Sequence, residues 1–327
     1  MSFSVKLASM APLPYRDCPL LQMTNSSTTI SRDRSCPICA KDSSQVWLES
    51  RVNFEALDSF AFASRKQPDF MHFRLMRCDS CDVLYVHPAP SLDWVHNEYR
   101  NAAFDASTES EYAARTYRIE LERVASQLPR RNSALDIGAG DGAFVLELLK
   151  AGFARSTGIE PSLEPVRRAR PEVRELLRNE FFQSDSCPPG SLDLATCFQI
   201  LEHVESPLDL CRSVHEMLVP GGALLIVAHD YRALTARILG ERSPIYDIEH
   251  LQLFSAHSLR LLLEKAGFLR VEVRALRNTY PINYWLRLMP LPKALKQFLA
   301  QRLENSRLGS LSLSARVGNL VAVGFRP

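Results

Sequence analysis

The chain has 327 residues, of which 46% are apolar and 23% charged, and its formal net charge is +2. That length can bury a sizeable core with room for one large and one small domain, and so small an excess charge excludes a strong whole-chain field for nucleic acid or an anionic membrane surface. No apolar run approaches the ~18 residues of a membrane-crossing helix, so no transmembrane segment is expected.

Residues 1–30 mix Ser, Thr and Pro with isolated apolar residues and lack the compact apolar core of a signal peptide. They read as a disordered tail, with Met23 a second candidate start. Residues 31–90 carry two Cys-x-x-Cys pairs, Cys36/Cys39 and Cys78/Cys81, while Cys18, Cys187, Cys197 and Cys211 stand singly. Each pair makes a tight knuckle offering two thiolates, and two knuckles close a tetrahedral site with no open position. This pattern favours a structural zinc ion and a reducing cytoplasm over a secreted disulfide framework. The alternative is a set of unrelated free thiols. Between the pairs, Phe73 to Arg77 alternates like a strand, and Val83 to Val86 leads out of the second knuckle. Eight Lys/Arg and eight Asp/Glu balance in this module, which argues against a phosphate-gripping face.

The segment His87-Pro-Ala-Pro-Ser91 interrupts regular structure. Residues 91–128 then show a helical pattern, a linker or lid, in which Tyr99, Tyr112 and Tyr117 serve either as core or as an aromatic substrate cover. From Pro129 the texture alternates β and α. Strands are expected at Ala134–Ile137, Ser156–Glu160, Ser191–Phe198, Gly222–Ala228, Leu269–Leu276 and Asn319–Phe325. Helices are expected at Ala143–Lys150, Leu163–Arg170, Pro207–Leu218 and from Ser255 to Ala266, the last ended by Gly267. Such alternation implies an α/β fold with a doubly wound, mostly parallel sheet covered on both faces. An insert at 277–315 is aromatic, basic and amphipathic, with six Lys/Arg against Glu304 alone. It admits three readings: packing against a partner or a second copy in a homodimer, a lid over the acceptor, or weak contact of 280–302 with a membrane surface or lipid-linked acceptor.

Asp136-Ile-Gly138-Ala139-Gly140-Asp-Gly142 follows a strand and opens a helix, where glycines let the backbone approach a ligand closely. A nicotinamide-binding fold uses a similar loop. Asp136, before the first glycine, can hold a cationic amino group, and Glu160 ends the next strand, where it can accept two ribose hydroxyls. The later segments Leu194-Ala-Thr-Cys-Phe198-Gln199-Ile-Leu-Glu-His203-Val204 and Leu218-Val-Pro-Gly-Gly-Ala-Leu-Leu-Ile226 resemble the corresponding motifs of class I S-adenosylmethionine-dependent methyltransferases, in the same order and spacing over 134–325. The resemblance implies a Rossmann-like seven-stranded sheet with S-adenosylmethionine held by Asp136, Gly138, Ala139, Gly140, Gly142, Glu160, Pro161, Phe198 and Gln199. Glu180 and Phe181 are the candidates beside the adenine.

The paired cysteines, the following Leu84-Tyr-Val-His-Pro-Ala-Pro-Ser91 and the tyrosine-rich helical segment are similar to bacterial methyltransferases with an N-terminal zinc-binding domain, including deoxysugar C-methyltransferases. Those sugar enzymes carry a further C-terminal domain for which there is no room here after Pro327. They also share a Glu-His before a Phe-Ser helix start, matched by Glu249-His250 and Phe254-Ser255. Their upstream tyrosine is displaced, with Asp247 nearer. The candidates for activating the acceptor are therefore His250, His203 and Glu249, with packing or loop-fixing roles as the alternative for each histidine. The remaining histidines, His229 among them, show no liganding pattern. The expected activity is methyl transfer to a small-molecule acceptor, a sugar, glycan precursor or related metabolite, at oxygen or carbon. The competing readings are an RNA methyltransferase gripping its substrate through the zinc module, and a non-catalytic cofactor-binding partner subunit.

Overall fold

The computed structural model describes residues 31–57, 61–63, 69–102, 107–288, 293–304 and 311–327. The tail expected at 1–30 lies outside them. The first five strands are β1 (Ser31–Arg32), β2 (Ser44–Leu48), β3 (Leu75–Cys78), β4 (Leu84–Val86) and β5 (Ala89–Pro90). β2, β3 and β4 form an antiparallel meander, and β1 pairs with β5. The meander does not end on its own edge: Gln252 and Leu253, far along the chain, pair antiparallel with Tyr85 and Leu84. An edge strand exposes a row of unpaired N–H and C=O groups, and this pairing covers it.

Helix α1 (Leu92–Asn101) starts where the Ser91 hydroxyl accepts from Trp94 N, an N-cap the sequence signals directly. Helix α2 (Ser107–Ala125) lays Ala113, Ala114, Tyr117, Leu121 and Val124 against Phe144, Leu194, Leu225, Val227 and Val321, covering one face of the main sheet.

That sheet follows the alternation of β6 (Ser133–Ile137), α3 (Ala143–Lys150), β7 (Arg155–Ile159), α4 (Leu163–Arg168), α5 (Pro171–Arg174), β8 (Leu177–Arg178), β9 (Leu192–Phe198), α6 (Pro207–Met217), β10 (Leu218–His229), α7 (Leu234–Leu239), β11 (Gln252–Leu253), α8 (Ala256–Lys265) and β12 (Leu269–Ala275). The excursion β13 (Asn278–Pro281), α9 (Ile282–Leu288), α10 (Lys293–Glu304) and β14 (Ser312–Ala315) follows, and then β15 (Asn319–Phe325). The strand order is β12-β15-β10-β9-β6-β7-β8, parallel from β10 to β8, with β15 antiparallel to both neighbours. The chain winds outward from β6 to β8 and then crosses back to β9. Between β6 and β9 the strand order reverses, and in such sheets ligands sit beyond the carboxyl ends at that point.

Local chemistry explains where elements depart from expectation. The helix expected at Leu163–Arg170 stops at Arg168 because Pro171 forces Arg170 into extended backbone (φ −62, ψ 147) and then opens α5. The strand expected at Gly222 begins at Leu218 through a bulge between Leu218 and Ala223 and continues to His229. Ser255 and Ser258 form a reciprocal capping box at α8. Among the described residues of the 277–315 insert, β13 pairs with β14 as a two-stranded stalk that carries α9 and α10. Thr116 of α2 pins the stalk, donating to Thr279 O at 3.3 Å and accepting from Thr279 N at 3.2 Å. Among the described residues no helix is long and apolar enough to cross a membrane.

Candidate functional site

The glycine loop leaves β6 at the reversal point. Gly138 takes φ +75, a backbone sign that favours glycine, and a Cβ there would stand 2.1 Å from Ile200 Cδ1, so that side chain would have to move. Gly138 N and Ala139 N both donate to Ile159 O, at 2.8 and 2.9 Å, which ties the loop to β7. Gly142, also at positive φ, caps α3. Asp136 is 3% exposed, and Thr196 Oγ1 donates to its Oδ1 at 2.6 Å. Burial, with the nearby Glu160 charge, pushes its carboxyl up to about 7. A buried carboxylate with so little compensation suits a cationic amino group. Glu160 is clamped by backbone donors, Gly140 N and Ser162 N, each at 2.9 Å; its desolvation still raises its pKa.

Pro161, Glu180 and Phe181 line one cavity of about 510 Å³ with Arg100, Asn179 and Gln183. Helix α1 walls it, with the His96 ring 4.5 Å from that of Phe181. Asn179 Nδ2 donates to Glu160 O and Pro161 O. Phe198 ends β9 between Tyr117 and Phe144, at ring separations of 4.5 and 4.6 Å. Gln199 follows at φ 57, its N donating to Val227 O at 2.7 Å. The glycine loop, Glu160 and Phe198 thus surround the carboxyl ends of β6, β7 and β9, and Glu180 and Phe181 lie at the outer end.

On the other side of β9, three histidines gather. His203 lies in the turn after β9, His229 ends β10, and His250 lies in the loop before β11. The His250 ring sits 4.9 Å from that of His203 and 5.2 Å from that of His229. Ligand atoms of His203, Glu249 and His250 lie within 4.8 Å of one another. His250 is 6% exposed and its Nδ1 is 2.7 Å from Ile245 O. A carbonyl only accepts, so that nitrogen carries the proton. His203 Nδ1 lies 2.7 Å from Tyr99 Oη. The loop holding Glu249 is braced by Asp247, whose Oδ1 accepts from Glu249 N at 3.2 Å. Glu202, fully buried, accepts from His229 N at 2.5 Å while its second oxygen has no hydrogen-bond partner, and burial pushes it up to about 7.

His229, Glu202 and Tyr99 are what sequence reasoning missed or left ambiguous here. The strand expected at Gly222–Ala228 stops one residue short of His229, which ends β10 on the ligand edge.

The four paired cysteines meet as well. Cys36 and Cys81 Sγ are 3.3 Å apart, Cys39 and Cys78 Sγ 3.5 Å, and all four lie within 4.8 Å. Thiolates about 2.3 Å from a common zinc would stand ~3.8 Å apart, so the donor set fits a closed tetrahedral ion. Residues of this module share an apolar cluster with the main domain, Cys81 and Tyr85 with Leu201 and Leu259. Arg34 reaches across to donate to Leu251 O at 2.8 Å and to Gln252 Oε1 at 2.5 Å. Asp82, in the second knuckle, accepts from Tyr231 and Ser255 hydroxyls. Trp47 Nε1 donates to Tyr246 Oη. The loop with Glu249 and His250 is thus held from both ends by the cysteine module.

A family profile described as a methyltransferase domain matches residues 110–273, half of the chain, spanning the glycine loop, β9 and the histidine cluster. The chain belongs to this methyltransferase family. Its class is that of the S-adenosylmethionine-dependent class I fold, with the seven-stranded sheet described above. The methyltransferase is 34% identical over 100 residues to a ubiquinone biosynthesis O-methyltransferase of Actinobacillus pleuropneumoniae, covering 28% of this chain and 42% of that one. It is 31% identical over 115 residues to the protein of the same name from Xanthomonas campestris, covering 33% and 48%. The chain thus spans under half the length of these curated relatives. Among solved structures, a SAM-dependent methyltransferase from Archaeoglobus fulgidus aligns with 72% of this chain and 100% of its own at 14% identity and a TM-score of 0.44.

Proposed function

We propose that this methyltransferase moves the methyl group of S-adenosylmethionine onto a small-molecule acceptor, with oxygen as the favoured atom and a carbon acid as the alternative. The observation that carries this reading is the group of half-buried His203 and Glu249 with buried His250, one strand away from the glycine loop. The cofactor supplies an electrophilic methyl on a sulfonium; the chain's own residues bind, align and activate. Asp136 holds the amino group, and Gly138, Ala139, Gly140 and Gly142 let the backbone approach. Glu160 accepts from the ribose, with Pro161, Glu180 and Phe181 around the adenine and Phe198 and Gln199 nearest the sulfonium. In-line displacement needs alignment and, for a hydroxyl, loss of its proton. His203, Glu249 and His250 supply that activation, and Tyr99 orients His203.

The O-methyltransferase names of the relatives support an oxygen acceptor. The cysteine module's similarity to sugar-modifying enzymes supports a sugar or glycan precursor. We assign a structural zinc to Cys36, Cys39, Cys78 and Cys81, residues 31–90 to its module and 129–327 to the catalytic domain. Reduced thiolates of this kind fit a cytoplasmic protein.

Calorimetry with S-adenosylmethionine and with NAD tests the cofactor assignment: binding of the former alone is expected, and the reverse overturns it. His250→Ala is expected to cut turnover by ~10²-fold or more while sparing cofactor affinity. Unchanged turnover removes His250 from the chemistry.

A further inference from the structure

We propose that His203, Glu249 and His250 form a second metal site, taking a divalent transition cation beside the position of methyl transfer. The inference deepens the methyl-transfer reading of the same cleft and rests on it for the role of the ion, though not for its binding.

Three observations carry it. Two imidazoles and one carboxylate bring one ligand atom each to within 4.8 Å of one another. Two histidines and a carboxylate make a nitrogen and oxygen donor set that occupies one face of a cation and leaves positions open, unlike the closed thiolate set of the four cysteines. The same three side chains are largely withdrawn from water, His203 and Glu249 at 16% and 11% side-chain exposure and His250 at 6%. Glu249 Oε2 lies 3.8 Å from His203 Nδ1, and a cation shared by the three donors would take the place of that contact.

The hydrogen bonds behind them have the arrangement that orients metal-binding imidazoles. His250 donates its Nδ1 proton to Ile245 O at 2.7 Å, which makes Nε2 the lone-pair nitrogen. His203 Nδ1 faces Tyr99 Oη at 2.7 Å and Glu249 O at 3.3 Å, which likewise favours the Nδ1–H tautomer. Ligand atoms on one ion sit closer than 4.8 Å, so binding draws the three side chains together; Glu249 is on a loop.

With the cation in place, the acceptor's hydroxyl ionises at a lower pH. Its proton leaves to solvent, the oxygen forms the O–C bond as the methyl C–S bond breaks, and sulfur keeps that electron pair. The products are the methyl ether and S-adenosylhomocysteine. No oxidant or reductant enters.

The test is titration of Mn²⁺ into the purified full-length protein with its cysteine-bound metal retained, read by electron paramagnetic resonance. Mn²⁺ prefers oxygen and nitrogen to thiolate, so it reports this site and not the other. One saturable Mn²⁺ per chain is expected. Glu249→Gln, a near-isosteric change, and His203→Ala should each weaken it by roughly tenfold or more, and Tyr99→Phe by about tenfold through the lost orienting bond. S-adenosylmethionine affinity should be unchanged in all three. Absence of saturable uptake of Mn²⁺, Co²⁺ or Zn²⁺ beyond the cysteine site, or uptake that survives both ligand substitutions, overturns the proposal. If turnover is lost in His250→Ala while the wild-type protein takes no second metal, the imidazoles act alone: the inference falls and the function stands. Mn²⁺ binding without methyl transfer to oxygen acceptors has the opposite meaning.

Discussion

Asp136 shows how one buried carboxyl can couple cofactor binding to pH. With only Thr196 to compensate it, its pKa is about 7, well above the usual carboxylate range. The group is therefore substantially protonated near neutrality, and the cofactor's ammonium, held there as proposed, would favour the ionised form. Affinity for S-adenosylmethionine is expected to rise with pH up to about 7 and to level off above it, with a proton released on binding at pH 6. Calorimetry in two buffers of different ionisation enthalpy measures that proton, and Asp136→Asn should abolish both the release and the slope. Linkage also fixes the sign for stability. A carboxyl whose folded pKa is raised binds more protons folded than unfolded, so the cofactor-free protein loses stability as pH rises from about 4 to about 7. Gly138 shows the complementary case, where a positive φ strains any side chain and a Cβ would also push Ile200 aside.

Among the elements, β11 is the joint on which the proposed acceptor side depends. It follows Glu249 and His250 directly, yet its strand partner is β4 of the cysteine module. Arg34 adds hydrogen bonds to Leu251 O and Gln252 Oε1, and Leu251 N and Gln252 N donate to Glu202 O. A metal that closes the two knuckles would therefore stabilise the loop of Glu249 and His250, proposed to activate the acceptor, through a sheet. Cys81→Ser, or removal of the metal, is expected to cost on the order of 4 kcal/mol, the scale of a lost structural metal. Hydrogen exchange should show protection lost at Leu84–Val86 and at Leu251–Leu253 together, with β6 and β9 little affected. Loss at 84–86 alone would mean that the module does not support the loop.

For the whole molecule, the excursion at 277–315 is separable from the sheet. β13 and β14 pair from Asn278↔Ala315 to Pro281↔Ser312, so the chain returns to where it left. Among the described residues, Tyr280 packs on Tyr284 and Trp285 Nε1 donates to Leu313 O at 2.9 Å, while Thr116 and Asn319 hold only the base of the stalk, at Thr279 and Asn278. On the outside, Leu295, Phe298, Leu311 and Leu313 are exposed. Replacing residues 282–311 by an Asn-Gly turn should leave cofactor affinity intact and change stability by no more than about 1 kcal/mol. Size-exclusion chromatography and turnover on the deletion then discriminate a dimer surface from an acceptor lid. A fall in cofactor affinity would show that the excursion braces the sheet.

What the sequence determined by itself was whatever depends on near neighbours. The buried run at Leu192–Phe198, the glycines at positive φ after β6, the Ser255 cap and the two cysteine knuckles each announce themselves within a few residues, because strand burial, turn sterics and capping act over that distance. The α/β class and its sheet follow from their order. Only the tertiary structure decided what lies across from what. Tyr99 meets His203, His229 joins His250, Glu202 takes His229 N, and Arg34 finds Gln252 more than two hundred residues away. No periodicity encodes such pairs. They arise because a doubly wound sheet brings the ends of separate strands to one edge, and because a short strand late in the chain completes the sheet begun by the cysteines.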